Sequence, residues 1–380
     1  MHRSRLRWWG VLLVPLLIAS PPLLVPPPSD SQAATSGWLL LAAAKKKKRR
    51  SSRRARYTVP SYGNPTAEDT LGGEDAAVRT VAAEALGRFN GSVVVVEADS
   101  GRVLTIVNQK LALSSGFKPC STVKLAVGLG ALEEGLITGD TLVRISRRQS
   151  INLTEALAYS NNPFFEILGK QMGFEKVSAY ARLLGFGELA GYLIDDEYPG
   201  AFPIEPPANG GVGRMSSYGE EIKVTPLQLS ALMAAFANGG TLYYLQYPTA
   251  ERDPALFKPR VKRHLPIQRW LPELRAGMEA AVLYGTARVG GESPTPILGK
   301  TGTCGEDQAK LGWFASYGEL PSGKRLAVVV LLRGGAVLNG SKAAEVAAQV
   351  YRRLGESYEL TRQPEESPAA TATAAAGTSH

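Results

Sequence analysis

The chain has almost no histidine. Of 380 residues only His2, His264 and His380 are of this type, and two of them stand near or at the termini. That scarcity nearly excludes a Ser-His-Asp triad and any histidine-based metal site. Cysteine is as scarce: Cys120 and Cys304 are the only two, too few for a zinc cage. No metal and no cofactor is expected. Chemistry that needs a base must then take it from elsewhere, and lysine is the candidate. Acidic residues are nearly missing from the first 56 positions, where 12 Lys/Arg face Asp30 alone. The formal charge of +9 therefore belongs to that arm, since the remainder carries 31 basic and 33 acidic groups. Its cluster at 45–56 suits an anionic membrane surface or wall polymer. No base-reading module accompanies it, so a specific nucleic-acid partner is not expected.

What is present begins with an export signal. "MHRSRLRWWGVLLVPLLIAS" has a basic start and an apolar core, and Ser31 and Ala33 fit the small-residue rule for cleavage. Residues 1–33 read as a signal peptide or anchor. An anchor would leave the basic cluster on the outer side, against the positive-inside tendency, so cleavage is the better reading. Residues 34–73 read as a basic, disordered linker, 74–357 as the catalytic domain, and 358–380 as a low-complexity tail.

Within the domain the pattern predicts a helix at 74–89, then a hairpin, "GSVVVVEAD" and "RVLTIVN", turning at Ser100-Gly101. From Ser121 to about Glu134 the chain is apolar on nearly every face, which marks a helix buried in the core. Further helices are expected at 153–159, 163–172, 175–184 and 226–238, the last opened by the capping box "TPLQ". Strands return as "PILGKTGTC", "KLGWFASY" and "RLAVVVLLR", and helix 341–356 closes the domain. Two strands, a helical block, then three strands and a helix suit an α/β fold: an antiparallel sheet with helices on both faces, joined by early and late segments.

Three short stretches carry chemistry. In "KPCSTVKLA", Ser121 and Lys124 are three apart and share a helix face. Burial or a second cation would favour the neutral amine and let it accept the serine proton. Ser121 also suits a helix N-cap. "SGFK" at 115–118 matches the same spacing, but Gly116 and Pro119 make a regular turn there unfavourable. In "AYSNNPFF", Ser160 and Asn162 lie between helices, where either Asn or Ser could instead cap; Ser150-Ile151-Asn152 has the same spacing upstream. In "GKTGTCG", Lys300, Thr301, Gly302 and Thr303 sit on an expected strand, where a glycine marks close backbone approach. A lysine beside two hydroxyls suits a substrate carboxylate.

In that order, S-x-x-K, S-x-N and K-T-G-T resemble the motif set of penicillin-binding proteins and serine β-lactamases. The likeness extends over roughly 75–355, through "KVTPLQLSALMAAFANGG", "GTARVGG" and "GWFASY". It implies a β-lactamase/transpeptidase-like fold, with a five-stranded antiparallel sheet and a helical subdomain. It implies that Ser121 attacks a D-Ala-D-Ala stem peptide or a β-lactam and that Lys124 takes its proton. Ser160, assisted by Lys300, relays a proton to the leaving amine; Asn162 holds substrate amides; Thr301 and Thr303 meet the carboxylate. The N–H groups of Ser121 and Thr303 would form the oxyanion hole.

If those two N–H groups converge, Cys120 and Cys304 beside them come close enough for a disulfide. The pair resembles that of the disulfide-bearing carbapenem-hydrolysing β-lactamases; the alternative is two reduced, buried residues. The expected activity is that of an exported, stand-alone D,D-transpeptidase or carboxypeptidase, without the glycosyltransferase or pedestal domain of larger members. A class A-like β-lactamase is the enzyme alternative, with Glu205 of "EPPAN" as deacylating base. A β-lactam sensor domain is the non-enzymatic alternative.

Overall fold

The computed structural model describes residues 57–70, 72–247, 257–288 and 296–360. The chain divides into two units, Met1–Ser52 and Arg53–His380, and the described residues all belong to the second. The expected leader, the basic cluster 45–56 and residues 361–380 of the expected tail lie outside them, whereas 358–360 belong to the last helix. Among the described residues no helix is long and apolar enough to cross a membrane.

Helix α1 (Ala76–Leu86) starts at Asp75, whose carboxylate accepts from the Ala77 and Val78 N–H groups. Strands β1 (Gly91–Glu97) and β2 (Arg102–Val107) form the expected hairpin. After α2 (Gln109–Leu113) comes a 3-10 turn, Cys120–Val123, which runs into α3 (Lys124–Glu133). A short pair, β3 (Val143–Arg144) and β4 (Ser150–Ile151), precedes α4 (Leu153–Ala158), α5 (Asn162–Leu183) and α6 (Gly211–Tyr218). Next are α7 (Pro226–Ala237), the pair β5 (Thr241–Tyr244) and β6 (Arg260–His264), and α8 (Leu271–Leu283). Strands β7 (Ile297–Glu306), β8 (Ala309–Glu319) and β9 (Arg325–Gly334) and helix α9 (Gly340–Leu360) complete the domain.

The main sheet has five antiparallel strands in the order β2-β1-β9-β8-β7. Early and late chain meet where β1 pairs β9, with Val94 opposite Val329. Alternation along these strands divides the core. Val94, Val96, Val329 and Leu331 pack with α3, α4, α5, α7 and α8. Val93, Val95, Val328 and Val330 pack with α1 and α9 on the other face. Unbroken valine runs are what a strand buried on both faces requires. Helix α3, apolar all round, is buried from Lys124 to Leu132.

Four departures from the sequence reading have local causes. Ser121 lies in the 3-10 turn and its side chain caps nothing; Thr122 Oγ1 instead donates to the Pro119 carbonyl at 2.8 Å. Helix α5 spans both expected helices, interrupted at Gly173, whose φ of 79° only glycine adopts cheaply. Helix α8 had no place in the sequence reading. Finally, residues 57–70 of the expected linker are tied to the domain. Thr58 N–H donates to the Gln308 carbonyl at 2.9 Å, and Asn90 N–H to that of Ser61 at 2.9 Å. Asp69 accepts from the Asn108 and Gln109 N–H groups and pairs with Arg79 at 2.6 Å.

Candidate active site

The segment before α3 is clamped from several sides. Phe117 exchanges backbone hydrogen bonds with Val224, so the chain is extended there. Lys118 donates its N–H to Glu306 at 2.9 Å, accepts from Trp313 Nε1 at 2.9 Å, and places its ammonium 2.9 Å from Glu220. This pairing removes Lys118 from any partnership with Ser115. Cys120 then turns with φ of +50° and is joined to Cys304 on β7 by a disulfide, with Cα atoms 5.6 Å apart. Gly302 explains itself against this turn: a Cβ there would lie 3.1 Å from the Pro119 carbonyl and 3.3 Å from Cys120 Cβ.

The α4–α5 junction divides capping from site duty between neighbours. Asn161 Oδ1 accepts from Phe164 N–H at 2.9 Å and is the cap of α5. Asn162 is left free to reach inward. Ser160 sits at φ of +54°, an uncommon conformation for serine. The look-alike Ser150-Ile151-Asn152 is a strand followed by the Asn152 cap of α4.

Lys124 Nζ meets four oxygens: Asn162 Oδ1 at 2.6 Å, the Ser160 carbonyl at 2.7 Å, Ser121 Oγ at 3.0 Å and Ser160 Oγ at 3.1 Å. Burial first, then the charge of Lys300, hold this amine well below the ordinary lysine range, with Glu166 pulling the other way. A neutral amine has two N–H donors and one lone pair. The amide oxygen and the carbonyl can only accept, so they take the two N–H groups. The lone pair is left facing the serine hydroxyls, which can donate to it.

Lys300 is equally buried on β7, with Nζ 3.0 Å from the Thr301 carbonyl. Burial brings it down to about 7. Thr301 Oγ1 lies 2.6 Å from Thr286 Oγ1, and Thr303 Oγ1 accepts from Gly340 N–H at 2.9 Å, where α9 begins. Above the two lysines opens a cleft of about 230 Å³, lined by Ser121, Ser160, Asn162, Thr301 and Thr303. Tyr218, Thr286 and Ser341 also line it. Thr286 belongs to the quoted "GTARVGG", but Tyr218 and Ser341 had no signal in a short motif. A larger depression of about 720 Å³ beside Gly63, Glu84 and Arg88 holds no nucleophile–base pair.

Glu205 is not part of this constellation. It is exposed on a bend before α6 and does not line the cleft. Pro206 is exposed, Pro207 is buried and a turn over 208–210 leads into α6, so the expected deacylating carboxylate does not reach this cleft. Among the described residues no group of His, Cys, Asp and Glu is placed to hold a metal ion.

A five-stranded antiparallel sheet between helical layers, with a Ser–Lys–Ser–Asn cluster facing a Lys-Thr-Gly-Thr strand, defines the penicillin-recognising class of serine proteins. The family model for the penicillin binding protein transpeptidase domain matches residues 91–352, and the chain belongs to that family. It is similar to stage V sporulation protein D of Bacillus subtilis, 30% identical over 225 residues, covering 52% of this chain and 34% of that protein. It is similar to the peptidoglycan D,D-transpeptidase MrdA of Acinetobacter baumannii, 24% identical over 362 residues, covering 73% of this chain and 52% of that one. The chain thus spans about a third to a half of the length of these relatives. Among solved structures it resembles penicillin-binding protein A from M. tuberculosis in an imipenem acyl-enzyme complex. That likeness has a TM-score of 0.62 and 21% identity over 73% of this chain and 78% of the other.

Proposed function

We propose that this domain is a peptidoglycan D,D-transpeptidase working through a Ser121 acyl-enzyme outside the cytoplasm. The observation that carries the reading is the buried Lys124 amine, 3.0 Å from Ser121 Oγ and held by the acceptor-only oxygens of Ser160 and Asn162. Ser121 Oγ attacks the carbonyl of a D-Ala-D-Ala stem peptide as its proton passes to Lys124 Nζ. The Ser121 and Thr303 N–H groups receive the oxyanion. The C–N bond breaks as Lys124 returns the proton through Ser160 Oγ to the departing D-alanine amine, with the Lys300 charge behind that serine. Thr301 and Thr303 hold the substrate carboxylate, and Asn162 holds a peptide carbonyl or N–H of the donor strand. An acceptor amine then attacks the ester, its proton leaves through Lys124, and Ser121 is restored. Water in place of that amine would give carboxypeptidase activity. A β-lactam presents a similar carbonyl and carboxylate, so it acylates the same serine. The basic cluster at 45–56 would hold the enzyme near an anionic membrane or wall polymer.

Labelling the full chain with a fluorescent penicillin, while following hydrolysis of a chromogenic cephalosporin, tests this reading. A lasting label without turnover, absent in Ser121→Ala, is expected. Label retained in Ser121→Ala overturns the site, and rapid cephalosporin turnover overturns the transpeptidase assignment. A D-amino acid supplied with a stem-peptide thioester should be incorporated at the acyl carbon.

A further inference from the structure

Asn162 is held from two sides. Its Oδ1 faces Lys124 at 2.6 Å and its Nδ2 donates to Tyr218 Oη at 2.6 Å. Tyr218 is the last residue of α6, and that helix end is wedged against the turn that carries Ser121. Gly219 has φ of +68°, and a Cβ there would lie 2.4 Å from Pro119 Cγ. One turn earlier Arg214 stands 5.2 Å from the Tyr218 ring centre, with Nε 2.7 Å from Glu220, which also pairs with Lys118. The ring is therefore placed by contacts that leave its hydroxyl available.

An asparagine amide can turn over, and the two orientations differ at Lys124. With Oδ1 inward, the amide accepts an N–H from both the neutral amine and the ammonium that forms during catalysis. With Nδ2 inward, it would donate to the lone pair and occupy the base, and it would repel the ammonium. Tyrosine can serve either orientation, but at different cost to the substrate. When Oη accepts from Nδ2, its own proton is free to point into the cleft that Tyr218 lines. When the amide turns over, that proton goes to Oδ1 and is lost to the ligand.

We propose that Tyr218 is a positioning residue that couples occupancy of the cleft to the availability of Lys124 as base. A substrate carbonyl or carboxylate accepting from Tyr218 Oη fixes the tyrosine as acceptor toward Asn162, and so keeps Asn162 Oδ1 on Lys124. The inference rests on the Ser121 acyl-enzyme reading and deepens it.

The test is the pH profile of β-lactam acylation rate in the full chain, for wild type, Tyr218→Phe and Arg214→Met. Tyr218→Phe keeps the ring and removes only the hydroxyl, and thermal melting checks that it folds. Its plateau rate should fall about 10-fold, and its acid limb should move to lower pH by roughly half a unit or more, because the turned amide disfavours the ammonium. Arg214→Met keeps the hydroxyl and removes one contact to the ring, so it should not move the acid limb to lower pH. An unchanged Tyr218→Phe profile, a lower plateau with an unmoved limb, or an equal limb shift in Arg214→Met overturns the inference alone. A wild type that takes no label overturns the acyl-enzyme reading and this inference with it.

Discussion

Lys124 and Lys300 are both fully buried beneath one cleft, yet the two halves of the domain hold them differently. On the helical side Lys124 meets four oxygens from three residues, drawn from the 3-10 turn and the α4–α5 junction. On the strand side, among the described residues, the oxygen that Lys300 meets is the carbonyl of its own neighbour Thr301. Burial lowers both amines, but among the described residues it is Lys124 that is surrounded by oxygens of other residues. The helical half therefore suits directed proton transfer. The strand half suits a charge that appears when an anionic ligand arrives to share it.

The disulfide is the seam between these halves, and breaking it has the largest expected effect on stability. It closes a loop across 184 positions, for which chain-entropy arguments give at most about 5 kcal/mol. Urea unfolding of the oxidised protein and of the Cys120→Ser, Cys304→Ser double variant should show a lower midpoint for the latter. Coinciding curves would mean the seam contributes nothing.

The second test separates the lysines by their charge. Lys300 is lowered to about 7 from 10.5, so between those values the unfolded chain binds a proton that the folded chain does not. Stability must then rise with pH across that window, and below about pH 7 the full cost of a buried ammonium applies. Lys300→Met should be more stable than wild type, by an upper figure of about 3 kcal/mol at pH 8, with a flatter dependence of melting temperature on pH. Parallel pH dependences in the two proteins would mean that Lys300 does not carry this burial cost.

The smallest effect concerns the junction that frees Asn162. Asn161→Ala should cost about 1 kcal/mol through loss of the α5 cap. If Asn162 moves into the vacated capping role, acylation falls with it; a purely local loss leaves the acylation rate alone. Chemical denaturation and labelling rate, measured on the same variant, distinguish these.

Much of the strand half was legible in the sequence, because its information is local. The valine runs and the K-T-G-T stretch name the strands, and Gly302 announces a close approach that the Cys120 turn supplies. The Cys120–Cys304 bridge was expected where the N–H groups of Ser121 and Thr303 converge, with two reduced cysteines as the alternative, and the bridge is what forms. The helical half was legible only in its motifs. Ser121 looked like a cap because serine before an apolar run commonly is one, but Pro119 and the left-handed Cys120 tighten that turn. Tyr218 was invisible since α6 is short and begins among glycines, and its place depends on Gly219 meeting Pro119 about a hundred positions away. Residues 57–70 read as linker from their polar, turn-forming composition, while their partners, such as Gln308, lie far along the chain. Glu205 shows the converse: a matching spacing without the fold to carry it inward.

Everything proposed for the cleft depends on Ser121 being the nucleophile and Lys124 its base. The most direct measurement is mass mapping of the benzylpenicillin adduct, with its rate of formation in wild type and in Lys124→Met. One adduct is expected, on the peptide at Ser121, forming about 10³-fold more slowly in the variant. An adduct elsewhere, at Ser115 for instance, or an undiminished rate without Lys124, would contradict it.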